Sequence, residues 1–282
     1  MIYEHEIPSE SRLYFSSSAK YKRDAENIAS KILLDRGYAE IVTPLLSYHQ
    51  HQSIDESSLI RFSDKENNIL SLRADSTLDV ARIITKRLGR SVEQKKWFYI
   101  QPIFRYPSIE QYQIGCESLG ENDLSTSIND SAEILSSLKL SPLLQISNIN
   151  IPKIIAKKFD ISLDLFKSAN LEAILKLDIE WLSKLVYLQK VEQIASVIED
   201  VPQDIKVELQ KIEILCQKID YLDMVIAPLY YSKMRYYDNL FFRYIENNAT
   251  LGTGGNYNYE DMNSVGFALY TDKIVEELIK IN

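Results

Sequence analysis

The chain has 282 residues, 45% apolar and 26% charged, with 40 Asp and Glu against 32 Lys and Arg for a formal charge of −8. This is the composition of a soluble globular protein with room for a sizeable core, and it excludes a disordered chain. No apolar run is long enough to cross a bilayer, and an acidic chain binds polyanions poorly unless its Lys and Arg cluster.

In chain order, Ala25, Ile28, Ala29, Ile32 and Leu33 recur at helical spacing from Ser16 onward, and Gly37 stands where a helix stop belongs. Tyr38 to Tyr48 reads as extended, interrupted by Pro44. A short strand, Ile69 to Arg73, precedes a helix from Thr77 to Leu88 closed by Gly89. Trp97 to Tyr106 and Gln111 to Leu119 form an antiparallel hairpin joined through Pro107 to Glu110. A helix near Asp130 to Leu138 and a strand near Leu143 to Ile149 follow, and residues 151–223 read as a glycine-free helical insertion. Met234 to Ile245 is a strand, LGTGGNYN a Gly-rich turn, and a final helix begins near Thr271. Short links between strands argue for an α+β fold with an antiparallel sheet flanked by helices, not a doubly wound parallel one.

Side chains alternate across a strand, so the hairpin sorts its residues by parity. Tyr112, Ile114 and Cys116 point toward the core; Gln111, Gln113, Gly115 and Glu117 point the other way. Gln101 and Arg105 share a face on the first strand. Polar residues alone would describe a solvated face. A glycine in mid-strand weakens the strand unless something approaches closely, so Gly115 is expected to floor a small-ligand pocket. Roughly 13 Å of strand separates Gln113 from Glu117, which suits opposite ends of one ligand. Three histidines leave no zinc site, and neither a nucleophile-elbow nor a phosphate-loop pattern occurs. Two cysteines and no signal-like N-terminus point to the cytoplasm.

From about Pro8 to Lys280 the chain resembles the catalytic core of histidyl-tRNA synthetase, a class II aminoacyl-tRNA synthetase. GYAEIVTPLLS is similar to motif 1, LSLRADST to the family's Leu-Arg-Pro-Glu-Gly-Thr segment, and FYIQPIFRYP with QYQIGCESLG to motif 2. RYYDNLFF and GTGGNYN resemble the histidine-specific segments, and GFALYTDKIV takes the place of motif 3. The resemblance implies a single class II-like core over residues 1–282 with a histidine pocket. In it Asp75, Thr77 and Gln113 hold the α-amino group, Arg105 the carboxylate, and Glu117, Tyr237 and Tyr257 the imidazole.

The departures from the synthetase pattern are as informative. Motif 3's arginine is Lys273, which lacks the planar stacking surface and the bidentate fork. Asp272 replaces a glutamate, Tyr270 stands at a small glycine and would crowd an adenine, Asp75 replaces a glutamate, and the catalytic arginine falls on Ser232, with Lys233 and Arg235 nearby. Residues 107–113 carry no Lys or Arg, and the sequence ends nine residues after Lys273, against roughly 100 for an anticodon-binding domain. A core so altered resembles the regulatory-subunit family of ATP phosphoribosyltransferase. That resemblance implies a non-catalytic, cofactor-free, metal-free histidine-binding subunit. It would dimerise through the motif 1 region and assemble with a short-form catalytic subunit, without tRNA or membrane. The alternatives are an amino-acid-activating enzyme and a scaffold with a vestigial pocket.

Overall fold

A computed structural model describes residues 6–89, 91–232 and 236–281. Helix α1 (Ser16–Asp35) leads to short strands β1 (Ala39–Glu40), β2 (Leu46–Ser47), β3 (Arg61–Ser63) and β4 (Ile69–Leu72). Helix α2 (Ser76–Ile83) runs on through a π-type turn at Ile84–Leu88. The hairpin β5 (Lys96–Arg105) and β6 (Ile109–Leu119), helix α3 (Leu124–Ser137) and strand β7 (Leu143–Asn148) follow. Six helices then occur in succession: α4 (Asn150–Phe159), α5 (Asp164–Lys167), α6 (Leu171–Leu175), α7 (Glu180–Val186), α8 (Ile194–Val197) and α9 (Gln203–Cys216). Strands β8 (Met224–Ile226), β9 (Tyr237–Glu246), β10 (Ala249–Tyr259) and β11 (Met262–Tyr270) and helix α10 (Thr271–Ile281) complete the described chain.

Eight strands form one sheet in the order β1-β5-β6-β11-β10-β9-β7-β8. Its interior pairs are antiparallel, as expected from the short links, while the edge pairs β1–β5 and β7–β8 are parallel. In the small sheet β2-β4-β3, β4 is the short strand expected at Ile69 to Arg73 and β2 lies in the expected extended stretch Tyr38 to Tyr48, while β3 was not expected. Strand β3 is three residues long and exposed throughout, so it leaves no alternating pattern to read.

The two faces of the large sheet do different work. On one, Phe98, Ile114, Cys116, Phe242 and Phe267 pack with Ala25, Ala29 and Leu33 of α1, Ile128 of α3 and Ile274 of α10. Helices α4 and α9 join this core through Ile151, Ile155, Ile205, Leu209 and Ile212. On the opposite face a smaller cluster of Trp97, Tyr99, Phe241 and Tyr257 meets Leu78, Val80, Ala81 and Ile84 of α2 and its extension. That second interface, between sheet and α2, is where the polar residues of the hairpin gather.

Two sequence expectations are corrected. Helix α3 starts at Leu124, earlier than the expected Asp130, because Asp123 accepts the Ser125 N–H at 3.2 Å as its cap and Leu124 and Ile128 are buried. LGTGGNYN is not a turn: it lies inside β10, paired on both sides. Its glycines admit neighbours instead of turning the chain. A Cβ on Gly254 would lie 2.4 Å from the Phe242 ring and 2.5 Å from the Gly266 carbonyl oxygen. The strand expected from Met234 begins, within the described residues, at Tyr237; Met234 lies outside them.

Candidate functional site

The β5–β6 register sets Gln101 opposite Gln113, Tyr99 opposite Gly115 and Trp97 opposite Glu117, so the polar parity of the two strands does coincide. Strand β11 continues the face, with Gly266 opposite Glu117 and Tyr270 opposite Gln113. Strand β10 supplies Tyr257 and β9 supplies Tyr237, which are register partners. Above the sheet, α2 begins at this point. Asp75 is its N-cap, its Oδ1 accepting the Leu78 N–H at 3.0 Å, and Thr77 stands in the first turn.

The seven nominated residues are thereby brought onto one face, and six of them, Asp75, Thr77, Gln113, Glu117, Tyr237 and Tyr257, are buried. Glu117 is the centre. Its Oε2 accepts the Tyr257 hydroxyl at 2.8 Å and its Oε1 accepts the Tyr99 hydroxyl at 3.2 Å, with the Thr77 hydroxyl also against the carboxylate. Burial outweighs these hydroxyls and pushes the Glu117 carboxyl up to about 8. Burial likewise raises Asp75, although its Leu78 N–H bond and Arg105 oppose the shift. Arg105 is the half-buried member: its Nε donates to the Ala74 carbonyl at 3.0 Å and its Nη2 lies 3.9 Å from Asp75 Oδ2.

Other nominated features resolve differently. Gln101 shares the face, but Thr43 engages it: the Thr43 N–H donates to its Oε1 at 3.1 Å, and its Nε2 donates to Thr43 Oγ1 at 3.1 Å. Gly115 floors no open pocket, because the ring of Tyr99 lies over it. Tyr99 and Tyr236 were missed. Tyr236 packs 4.6 Å from the Tyr237 ring and 6.2 Å from that of Tyr257, centroid to centroid. The signal for Tyr99 was present in its parity, shared with Gln101 and Arg105. Arg73 of LSLRADST was also passed over. It is fully buried and donates to the Thr43 and Pro102 carbonyls at 2.7–2.9 Å, fastening the segment before β2 to β5.

At the place of motif 3, Lys273 pairs with Glu276 at 3.1 Å and Asp272 accepts the Tyr112 N–H at 3.0 Å. The Tyr270 hydroxyl shares a hydrogen bond with Thr253 at 3.0 Å. Ser232 is buried, and Lys233 and Arg235 lie outside the described residues. Between β5 and β6 only Tyr106, Pro107 and Ser108 remain as a turn, without a cation. Among the described residues no group of three His, Cys, Asp or Glu side chains could hold a metal ion.

The raised Glu117 carboxyl carries a pH signature. The folded protein holds this proton from about pH 4.5, where an unfolded Glu loses it, up to about pH 8. Its contribution to stability is therefore complete below that window and is lost as pH rises through it, at about 1.4 kcal/mol per pH unit. Thermal unfolding at pH 5.5 to 9 should show Glu117→Gln gaining on the unsubstituted protein as pH rises. Parallel pH profiles would contradict the shift.

Comparison with known proteins bears on the fold and the family. The family model of histidyl-tRNA synthetase matches residues 14–274. A protein of Wolinella succinogenes named ATP phosphoribosyltransferase regulatory subunit is 45% identical, over 100% of this chain and 99% of its own. Among solved structures, an ATP phosphoribosyltransferase regulatory subunit/histidyl-tRNA synthetase from Bacillus halodurans superposes with a TM-score of 0.84 at 20% identity, over 99% of this chain and 84% of that one. A chain of the ATP phosphoribosyl transferase complex from Thermotoga maritima does so at 0.66 and 18% identity, over 89% and 97%. The fold is that of class II histidyl-tRNA synthetases, and the chain belongs to the family of ATP phosphoribosyltransferase regulatory subunits.

Proposed function

We propose that the protein is the regulatory, non-catalytic subunit of an ATP phosphoribosyltransferase in histidine biosynthesis. It binds free histidine at Glu117 and transmits that binding to a short-form catalytic subunit, which it also activates. The observation that carries the reading is the convergence of a buried carboxylate, two phenols, an ammonium-type acceptor set and a half-exposed guanidinium on one sheet face. Glu117, Tyr237 and Tyr257 take the imidazole. Asp75, Thr77 and Gln113 take the α-ammonium, for which acceptors are required, and Arg105 takes the carboxylate, which suits a planar fork. No cofactor or metal enters this chemistry.

Regulation follows by linkage: histidine shifts the complex only as far as it prefers one state of it. Adenylate chemistry is disfavoured by residues in plain view. Lys273 is tied to Glu276, Tyr270 stands across from Gln113, and the hairpin turn offers no cation to a triphosphate or an acceptor stem. Residues 151–223 are an insertion within one synthetase-like core, and the protein works in the cytoplasm without tRNA. A homodimer forms through the motif 1 region, where Val42, Leu45, Leu46 and Tyr48 are exposed together with Ile69 of β4. Exposed apolar patches of this kind mark interfaces.

Co-expression with a short-form catalytic subunit tests the reading. Activity should appear only with both chains and should fall on adding histidine. Histidine-dependent exchange of pyrophosphate into ATP by this chain alone would replace it with the amino-acid-activating reading.

A further inference from the structure

We propose that Tyr99 is a positioning residue that couples the two ends of the histidine site through a directional hydroxyl chain, Thr77 to Tyr99 to Glu117; this rests on the reading that the site binds histidine. Tyr99 is fully buried and lies across strand β6 where Gly115 has no side chain. A Cβ at 115 would stand 2.4 Å from both Cζ and the hydroxyl oxygen of Tyr99. The missing side chain therefore serves Tyr99, whose hydroxyl arrives 3.2 Å from Glu117 Oε1 and 3.3 Å from Thr77 Oγ1.

A phenol has one proton to give. An ionised carboxylate only accepts, so above about pH 8, where Glu117 is ionised, the Tyr99 proton points to Oε1 and the Thr77 hydroxyl, 3.3 Å away, gives its one proton to the Tyr99 oxygen and not to the carboxylate. The remaining lone pairs of Thr77 are then free to accept from an ammonium. The order of donation becomes ligand ammonium, Thr77, Tyr99, Glu117. Each bond polarises the next in a buried, low-dielectric setting. An α-amino group at one end thus strengthens the hold on the carboxylate that receives the imidazole N–H at the other. Tyr99 touches neither end of the ligand in this scheme; it acts through Glu117.

The test uses two probes on the full chain, histidine and 3-(imidazol-4-yl)propionate, which lacks the amino group. Calorimetry on the unsubstituted protein at pH 8.5, above the Glu117 titration, should show histidine preferred. Tyr99→Phe should cut that preference by about 5-fold, the size of coupling that members of one hydrogen-bond network show. A Tyr99 that merely filled space would weaken both ligands equally and leave the ratio unchanged, which overturns the proposal while the histidine site stands. Should Tyr99→Phe fail to fold, Thr77→Val and Thr77→Ser decide. Thr77→Val should weaken even the des-amino probe and Thr77→Ser should restore it, whereas a Thr77 serving only the amino group would leave that probe unaffected. Absence of histidine binding to the unsubstituted protein, alone and with the catalytic subunit, would remove the underlying reading as well.

Discussion

Above pH 8, where Glu117 is ionised, Glu117→Gln is expected to weaken histidine binding by about 10- to 100-fold, the loss of a hydrogen bond to a charged group at about 1.5–3 kcal/mol. Glu117 presents both oxygens to hydroxyls in a site from which water is excluded, so a ligand N–H that reaches it meets an acceptor with no competing solvent. Glutamine keeps the volume but turns one acceptor into a donor, which faces Tyr99 or Tyr257 and leaves the imidazole a poorer partner. Calorimetry on the chain alone and with the catalytic subunit measures the first effect. Inhibition of the complex by histidine should move to higher concentration in the same direction, since it depends on occupancy of this site. The protein itself should remain folded and be relatively more stable above pH 8, because the substitution removes a buried titration. Unchanged regulation would identify the pocket as vestigial and the chain as a scaffold.

Much of this site was legible because a strand has period two. Gln113 and Glu117 declare their shared face through one intervening glycine, and the hairpin register then adds Tyr99 and Arg105 to it. Helix α1 was legible from its spacing and from Gly37, whose backbone is left-handed at φ +81°. What the sequence concealed was the use of each small or aromatic residue. Tyr99 reads as a core aromatic because a phenol and a phenyl ring are buried alike, and only the partner of the hydroxyl separates them. Thr-Gly-Gly in β10 reads as a turn because local propensity says nothing of a Phe242 ring arriving from β9. Asp75 was assigned to a ligand ammonium alone, yet one of its oxygens caps α2, which fixes where that helix, and Thr77 with it, begins.

Gly266→Ala should be the most damaging small substitution near the site. Gly266 of β11 sits directly opposite Glu117 in the ladder, and an added Cβ would lie 2.1 Å from Glu117 Oε2 and 2.5 Å from the Cys116 carbonyl oxygen. A carboxylate in open solvent would swing away, but Glu117 is pinned from both sides by Tyr99 and Tyr257. The Cys116 oxygen belongs to the backbone of β6 and cannot yield without parting two central strands of the large sheet. Overfilling so tight a place costs about 3 kcal/mol, the upper part of the usual range. For a domain of this order that is a fall of roughly 6–12 °C in Tm. Histidine binding should be lost with it, since the carboxylate is the first atom group displaced. A double substitution separates the two obstacles. Glu117→Ala in the Gly266→Ala background should recover part of the stability, the part owed to the carboxylate, and the remainder should persist because the Cys116 carbonyl stays. Full recovery would assign the whole cost to Glu117, and none would assign it to the strand backbone; a Gly266→Ala protein that melts with the unsubstituted one would refute the close packing of β11 on β6.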